Sequence, residues 1–173
     1  MVGQERRAKG RQAQTRCTII DAQSVKNTDT AEEKGYDGGK KISGIKRHIA
    51  VDTQGLPHML HVTTANVTDR AGAIEGFALH APALQMVEKV IADGGYTGEK
   101  FAEAIQCSLG ANVEVAKRSE MHKFSVIPKR WVVERSFAWL EKCRRLWKNC
   151  ERKLNTSLQM MVLAFLVLIL KRF

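Results

Sequence analysis

Residues 87–95 read Val-Glu-Lys-Val-Ile-Ala-Asp-Gly-Gly, a run of strand length that ends on Asp93 and a glycine pair. Glycines at that point let another backbone come close. The end of a strand is also where open α/β sheets present their ligands. A second run, Thr-Ile-Ile-Asp-Ala-Gln-Ser-Val at 18–25, is β-branched and partly alternating, so it too reads as a strand. It carries Asp21 among apolar neighbours. A carboxylate in such a place is costly unless it is paired or bound to a metal.

Working outward, residues 26–41 (KNTDTAEEKGYDGGKK) are rich in Gly, Asp and Lys and read as a loop of the kind that approaches a ligand. Residues 42–52 and 56–65 are strand-like and joined by Thr53-Gln54-Gly55, a hairpin signal. A helix is expected over 69–80, capped by Thr68 or Asp69, and another over 97–107, capped by Thr97 or Gly98. A short strand follows at 112–116. Residues 117–127 show no clear period. Pro128 suits the first turn of a helix running to Cys150, and a last helix spans about 155–171. The order is β-β-β-α-β-α-β-α-α. A three-strand meander followed by alternating helices and strands predicts an α/β fold, a mixed sheet flanked by helices.

Length and charge agree with one domain. The chain has 173 residues, 44% of them apolar, and a formal net charge of +10, which excludes a disordered chain and favours a polyanionic partner. Residues 1–17 read as a flexible basic arm carrying Arg6, Arg7, Lys9, Arg11 and Arg16, and 18–173 as the folded domain. No apolar signal segment follows the basic start. Cys17, Cys107, Cys143 and Cys150 form no CxxC, so they read as reduced thiols of a cytoplasmic protein rather than a zinc module or a disulfide framework. Met160–Leu170 is an apolar run of 11 residues, short of the roughly 17 to 25 that span a bilayer. It reads as a buried or partner-docking helix, with no membrane partner.

The segment 117–153 holds twelve Lys and Arg against four Glu, most of the chain's excess positive charge. Trp131, Trp139 and Trp147 lie within it. Basic residues interleaved with aromatics suit a surface that tracks a nucleic-acid backbone. Val133, Phe137 and Leu140 nevertheless recur at helical spacing, so much of this helix must pack. Glu134 stands among them. With Arg130 four residues earlier, a helical ion pair is its other reading.

Taken together, IIDAQSVK, GYDGGKKISGIKRHIAVD, IADGGYTG and RWVVERSFAWLEKCRRLW resemble the bacterial insertion-sequence transposases of the DDE class, most of all the IS-five-like group. The resemblance runs from about Thr18 to the C-terminus. It implies a ribonuclease-H-like fold and a catalytic triad at Asp21, Asp93 and Glu134. It also implies metal-dependent cutting and joining of double-stranded DNA, at transposon ends and target. Two divalent ions can stabilise the attacking and leaving oxygens of an in-line displacement. Mg²⁺ prefers carboxylate oxygens, and Mn²⁺ is expected to substitute. The nucleophile is water and then a DNA 3′-OH.

The related signature Tyr-x2-Arg-x3-Glu-x6-Lys matches at Arg130 and Glu134, but Ile127 and Glu141 stand at its Tyr and Lys positions. Lys142 or Arg144 is expected to serve instead of that lysine. The basic residues expected at DNA are Lys40, Lys41, Lys46, Arg47, Arg130, Arg135, Lys142, Arg144 and Arg145. His48, His58, His61 and His122 show no ligand pattern. Relatives usually carry a helical N-terminal region implicated in end recognition, and here a short arm stands in its place. Two readings follow: the downstream frame of a two-frame element, with the upstream-frame polypeptide as partner, or a truncated remnant. A homodimer on DNA, associated with the nucleoid, is expected. A nuclease without strand transfer and a non-catalytic DNA-binding regulator are the competing functions. Three retained acids favour catalysis, because a binding module gains nothing from unpaired carboxylates in its core.

Overall fold

The computed structural model describes residues 1–115 and 130–171. In chain order its elements are α1 (Val2–Ala8), β1 (Cys17–Lys26), β2 (Gly35–Asp37), β3 (Ile42–Val51), β4 (Pro57–Thr64), α2 (Asp69–His80), β5 (Lys89–Ala92), α3 (Glu99–Leu109), β6 (Asn112–Val115), α4 (Arg130–Glu141) and α5 (Leu154–Leu170).

β1 runs through the middle of one mixed sheet. β3 pairs with it antiparallel on one side and β5 parallel on the other, with β6 parallel beyond β5. On the far edge of β3, β2 pairs with residues 42–44 and β4 with 45–51. The meander of β1, β3 and β4 is the one expected from sequence.

Alternation along each strand sends side chains to two separate cores. Ile19 and Ile91 lie in the layer under α4 and α5, with Val133, Phe137, Met161 and Phe165. Ile20, Val90 and Ala92 lie in the other, under α2 and α3, with Phe77, Phe101 and Ile105. Burying each such side chain contributes about 1.5–3 kcal/mol. Thr68 caps α2 by accepting from the Ala71 N–H at 3.2 Å, which decides between the two expected caps.

The strands pack closely where β3 begins. A Cβ built on Gly44 would lie 2.0 Å from the Val25 carbonyl oxygen on β1. That atom is backbone and cannot swing aside. Gly44→Ala is therefore expected to lower stability by about 1–3 kcal/mol, the cost of overpacking, as read from urea unfolding followed by far-UV circular dichroism.

Three local expectations are corrected. Residues 2–8, expected within a flexible arm, form α1, and both Glu5 and Arg6 on it are buried. The Arg6 guanidinium pairs with the fully buried Asp52 carboxylate in the β3–β4 turn, and its Nε donates to the Gln12 carbonyl at 2.8 Å. The short strand β2 lies inside the expected loop, held to β3 by three residue pairs. The helix expected to reach Cys150 ends at Glu141. A tight turn over Arg144–Leu146 follows. The indole N–H of the exposed Trp147 donates to the Glu141 carbonyl, satisfying a group at the helix end that the helix itself leaves open. Expectations for 117–127 and Pro128 lie outside the described residues.

α5 presents Met161, Phe165 and Ile169 to the core and leaves Val162, Leu163, Val167 and Leu170 exposed. Among the described residues no helix is long and apolar enough to cross a membrane.

Candidate active site

The β1–β5 ladder pairs Ile19 with Ile91. The ladder ends there, and Asp21 and Asp93 stand two residues beyond that last pair, at the same end of the two parallel strands. Asp93 is still extended, at φ −84° and ψ 178°. By alternation both aspartates share the face of Ile19 and Ile91, the face that α4 covers. The Asp21 carboxylate accepts from the Ala22 N–H at 2.8 Å, and Asp93 accepts from the Gly95 N–H at 2.9 Å.

The ring of Tyr96, three residues after Asp93, is buried against Phe101, with ring centroids 5.3 Å apart. Burial, and after it the charges of Asp21, Asp69 and Asp93, push the Tyr96 hydroxyl well above its ordinary pKa. All three aspartates therefore act on one buried hydroxyl.

Glu134 is exposed on α4. It faces a cavity of about 350 Å³ that it lines together with Asp21, Ser24, Lys40, Phe137 and Glu141. The structure thus puts Asp21 and Asp93 at the same end of two adjacent parallel strands, and Asp21 in a shared cavity with Glu134.

The basic residues separate into two groups. Lys40 lines the cavity, and Lys41, Lys142, Arg144 and Arg145 are exposed. Arg145 also pairs with Glu151 at 2.8 Å.

Lys46 and Arg47, expected at DNA, are corrected to interior residues. Lys46 is 5% exposed, bonds to the Val67 carbonyl at 2.7 Å and pairs with Asp69 at 2.8 Å and Asp37 at 3.4 Å. Arg47 is 1% exposed and donates to the Leu146 carbonyl at 2.9 Å. Burial draws its pKa down to about 10, against the opposing charge of Glu141. The cause is topological. β3 lies between β1 and the β2–β4 edge with helices on both faces, so from Gly44 onward neither alternating set of its side chains reaches solvent.

Arg135 is half-buried, donates to the Gln54 carbonyl at 2.9 Å and lies over the Trp131 and Trp139 rings at 4.6 and 4.8 Å. The Arg130 side chain and His122 lie outside the described residues. His48 is interior, bonded to the Thr63 hydroxyl at 3.0 Å, with its pKa lowered to about 3 chiefly by burial. It is a neutral packing group.

A family model described as "Transposase DDE domain" matches residues 12–170. The chain belongs to the transposase DDE domain family. It is 36% identical over 119 residues to a Burkholderia cepacia protein named "Putative transposase for insertion sequence element IS402". That alignment covers 64% of the chain and spans 55% of the relative's length. Among solved structures, the chain resembles the catalytic core domain of BIV integrase, with TM-score 0.53, 12% identity, and coverage of 88% of this chain and 82% of that one. It also resembles a chain of the simian T-cell lymphotropic virus intasome in complex with PP2A regulatory subunit B56 gamma, with TM-score 0.55, 18% identity, and coverage of 88% and 47%. The transposase domain therefore has the ribonuclease-H-like fold that the family resemblance implied.

The DDE family implies use of a divalent metal. Carboxylate oxygens on adjacent strands suit a hard cation by donor chemistry. Among the described residues, however, no three His, Cys, Asp or Glu side chains are gathered closely enough to hold one. Sequence reasoning missed Asp37, whose carboxylate accepts from Ser24 and the Lys40 N–H beside the cavity, and Tyr96, buried three residues after Asp93. Their only local signals were an aspartate before Gly38-Gly39 and an aromatic after Gly94-Gly95.

Proposed function

We propose that this domain cuts and joins DNA at insertion-sequence ends by metal-dependent phosphoryl transfer. The observation that carries the reading is that Asp21 lines a cavity with Glu134, while Asp93 follows the end of the neighbouring parallel strand. Asp21 and Asp93 from the sheet and Glu134 from α4 are the ligands this reading assigns to Mg²⁺, or Mn²⁺ in its place; holding one ion together requires the three to draw closer than they stand here. Bound there, the cation stabilises charge on the attacking and leaving oxygens.

The chain's own residues do the rest. The strands put the two aspartates at the same end of the sheet. Phe137 gives the cavity an apolar wall, and Lys40 on its rim attracts the phosphodiester. Water and then a DNA 3′-OH attack the phosphorus, so no side chain becomes covalently bound to DNA. The partners in this reading are double-stranded DNA, a second copy of the chain on paired ends, and an N-terminal polypeptide of the upstream frame.

The test is nicking of supercoiled plasmid by the full chain with Mg²⁺ or Mn²⁺, and its loss with chelator. Absence of nicking with both metals would sink the catalytic reading and favour a DNA-binding regulator.

The exposed cations make a separate expectation. Lys142 and Arg144 are exposed and, in this reading, neutralise backbone phosphates. Each such contact contributes a slope of about 0.9 in log affinity against log salt. The double variant Lys142→Ala/Arg144→Ala is expected to lower that slope by about 1.8, measured by anisotropy of a labelled duplex between 50 and about 200 mM salt.

A further inference from the structure

We propose that Lys40 is a catalytic residue, its ammonium contacting a non-bridging oxygen of the scissile phosphate, and that Asp37 is the positioning residue that aims it. The proposal rests on the phosphoryl-transfer reading above and deepens it.

Three carboxylates, Asp21, Glu134 and Glu141, line the cavity, and Lys40 lines it with them. The Gln23 amide donates to Glu141 at 2.7 Å, which turns that acid toward β1. A phosphodiester is itself an anion. Its approach to a cavity lined by several carboxylates is repulsive. A cation fixed on the cavity wall offsets that repulsion where the transferred group must sit.

Lys40 is placed for this by backbone, not by chance contact. Its Nζ donates to the Ala22 carbonyl at 3.2 Å, immediately after Asp21 in the chain. An ammonium has three donors, so this bond leaves capacity for a phosphate oxygen.

The turn that carries Lys40 joins β2 to β3 and is organised by Asp37. One Asp37 oxygen accepts from the Gly39 and Lys40 N–H groups at 3.0 and 3.1 Å. The other accepts from the Ser24 hydroxyl on β1 at 2.6 Å and pairs with Lys46 at 3.4 Å. Asp37 thus ties the turn to β1 three residues beyond Asp21. The Ser24 hydrogen bond, opposed by burial and assisted by the Lys40 N–H and by Lys46, holds the Asp37 carboxyl down at about 2. The next residue, Lys41, is left-handed at φ 55°. A side chain rarely adopts that conformation, and it persists where the surroundings over-determine the turn.

Lys40 is exposed, like Lys142, Arg144 and Arg145, but it alone of the four lines the cavity, so they belong to affinity and Lys40 to rate. Lys40→Ala in the full chain is expected to lower the rate constant for Mn²⁺-dependent plasmid nicking by about 10²–10³, the usual cost of one transition-state donor. The affinity for a labelled duplex should change by less than about threefold, because one phosphate contact contributes little to binding. Lys40→Arg keeps a cation on the same turn and should recover most of the rate. Asp37→Asn should lower the rate constant at unchanged duplex affinity. Ser24→Ala, a milder cut in the same tether, should act in the same direction.

Wild-type nicking by Lys40→Ala overturns the proposal. So does a loss of affinity with an unchanged rate constant, which would make Lys40 a backbone contact. An unchanged rate in both Asp37→Asn and Ser24→Ala removes the positioning role. If the unmodified chain does not nick with either metal, the phosphoryl-transfer reading fails and takes this one with it.

Discussion

Asp93→Asn is expected to abolish metal-dependent nicking, a fall of about 10³-fold or more, while duplex binding at moderate salt stays within about twofold of the unmodified chain. The substitution is nearly isosteric. The amide oxygen still accepts the Gly95 N–H that Asp93 accepts now at 2.9 Å, so the loop holds its shape. What goes is the charge that a hard cation needs from its ligand. Asp21→Asn should behave alike, since its Ala22 contact at 2.8 Å also survives in the amide. The double variant should be no worse than either single one, because residues that act as a unit are grossly non-additive. Binding is spared because the exposed cations that supply it, such as Lys142 and Arg144, are untouched. Plasmid nicking and duplex anisotropy on the same preparations decide the matter. Retention of a tenth of the rate by either variant would remove that aspartate from the chemistry.

The second large effect concerns folding. Asp52 is fully buried in the β3–β4 turn. It pairs with Arg6, approaches His58 Nε2 at 3.5 Å, and accepts from the Gln54 and Leu56 N–H groups at 2.8 and 3.1 Å. Asp52→Ala leaves a buried guanidinium and two turn N–H groups without their acceptor. The expected loss is about 3–5 kcal/mol, the cost of breaking a buried pair from one side, and urea unfolding measures it.

The same carboxylate gives stability a pH dependence. Burial pushes its pKa up, but the nearby His58 imidazole and the two backbone N–H groups prevail and hold it at about 2. That lies below the value of about 3.9 in the unfolded chain. A depressed folded-state pKa means stability that is complete above about pH 4 and lost as pH falls toward 2. The share due to Asp52 is about 2 kcal/mol. Urea midpoints should therefore be flat from pH 6 to about 5 and fall below about 4, and Asp52→Ala should flatten that fall.

Particular residues show what the sequence could and could not reveal. Asp21 and Asp93 were legible because each interrupts an apolar run, and a lone charge in such a run is informative in itself. The meander was legible because alternation and the Thr53-Gln54-Gly55 turn are local. Arg47 was not. It looks like any basic residue on an edge strand, and its partner carbonyl lies 99 residues away. Arg6 was hidden likewise, since its acid lies 46 residues on in a turn. The end of α4 depends on an indole that folds back on Glu141, and no periodicity announces that. Local pattern reported the strands and the acids, whereas the fate of each cation depended on which distant group claimed it.

The pairing of Ile19 with Ile91 also bears on how such a domain can change over evolutionary time. Asp21 and Asp93 stand just past the end of one hydrogen-bonded ladder, which sets their neighbourhood more than the seventy-odd residues that connect them. Insertions and deletions in the connecting turns should leave that neighbourhood intact. A single added residue within β1 before Asp21 is different, because it would turn the aspartate to the opposite face of the sheet. Lineages of this domain should therefore vary freely in loop length and hardly at all in the length of the two strands.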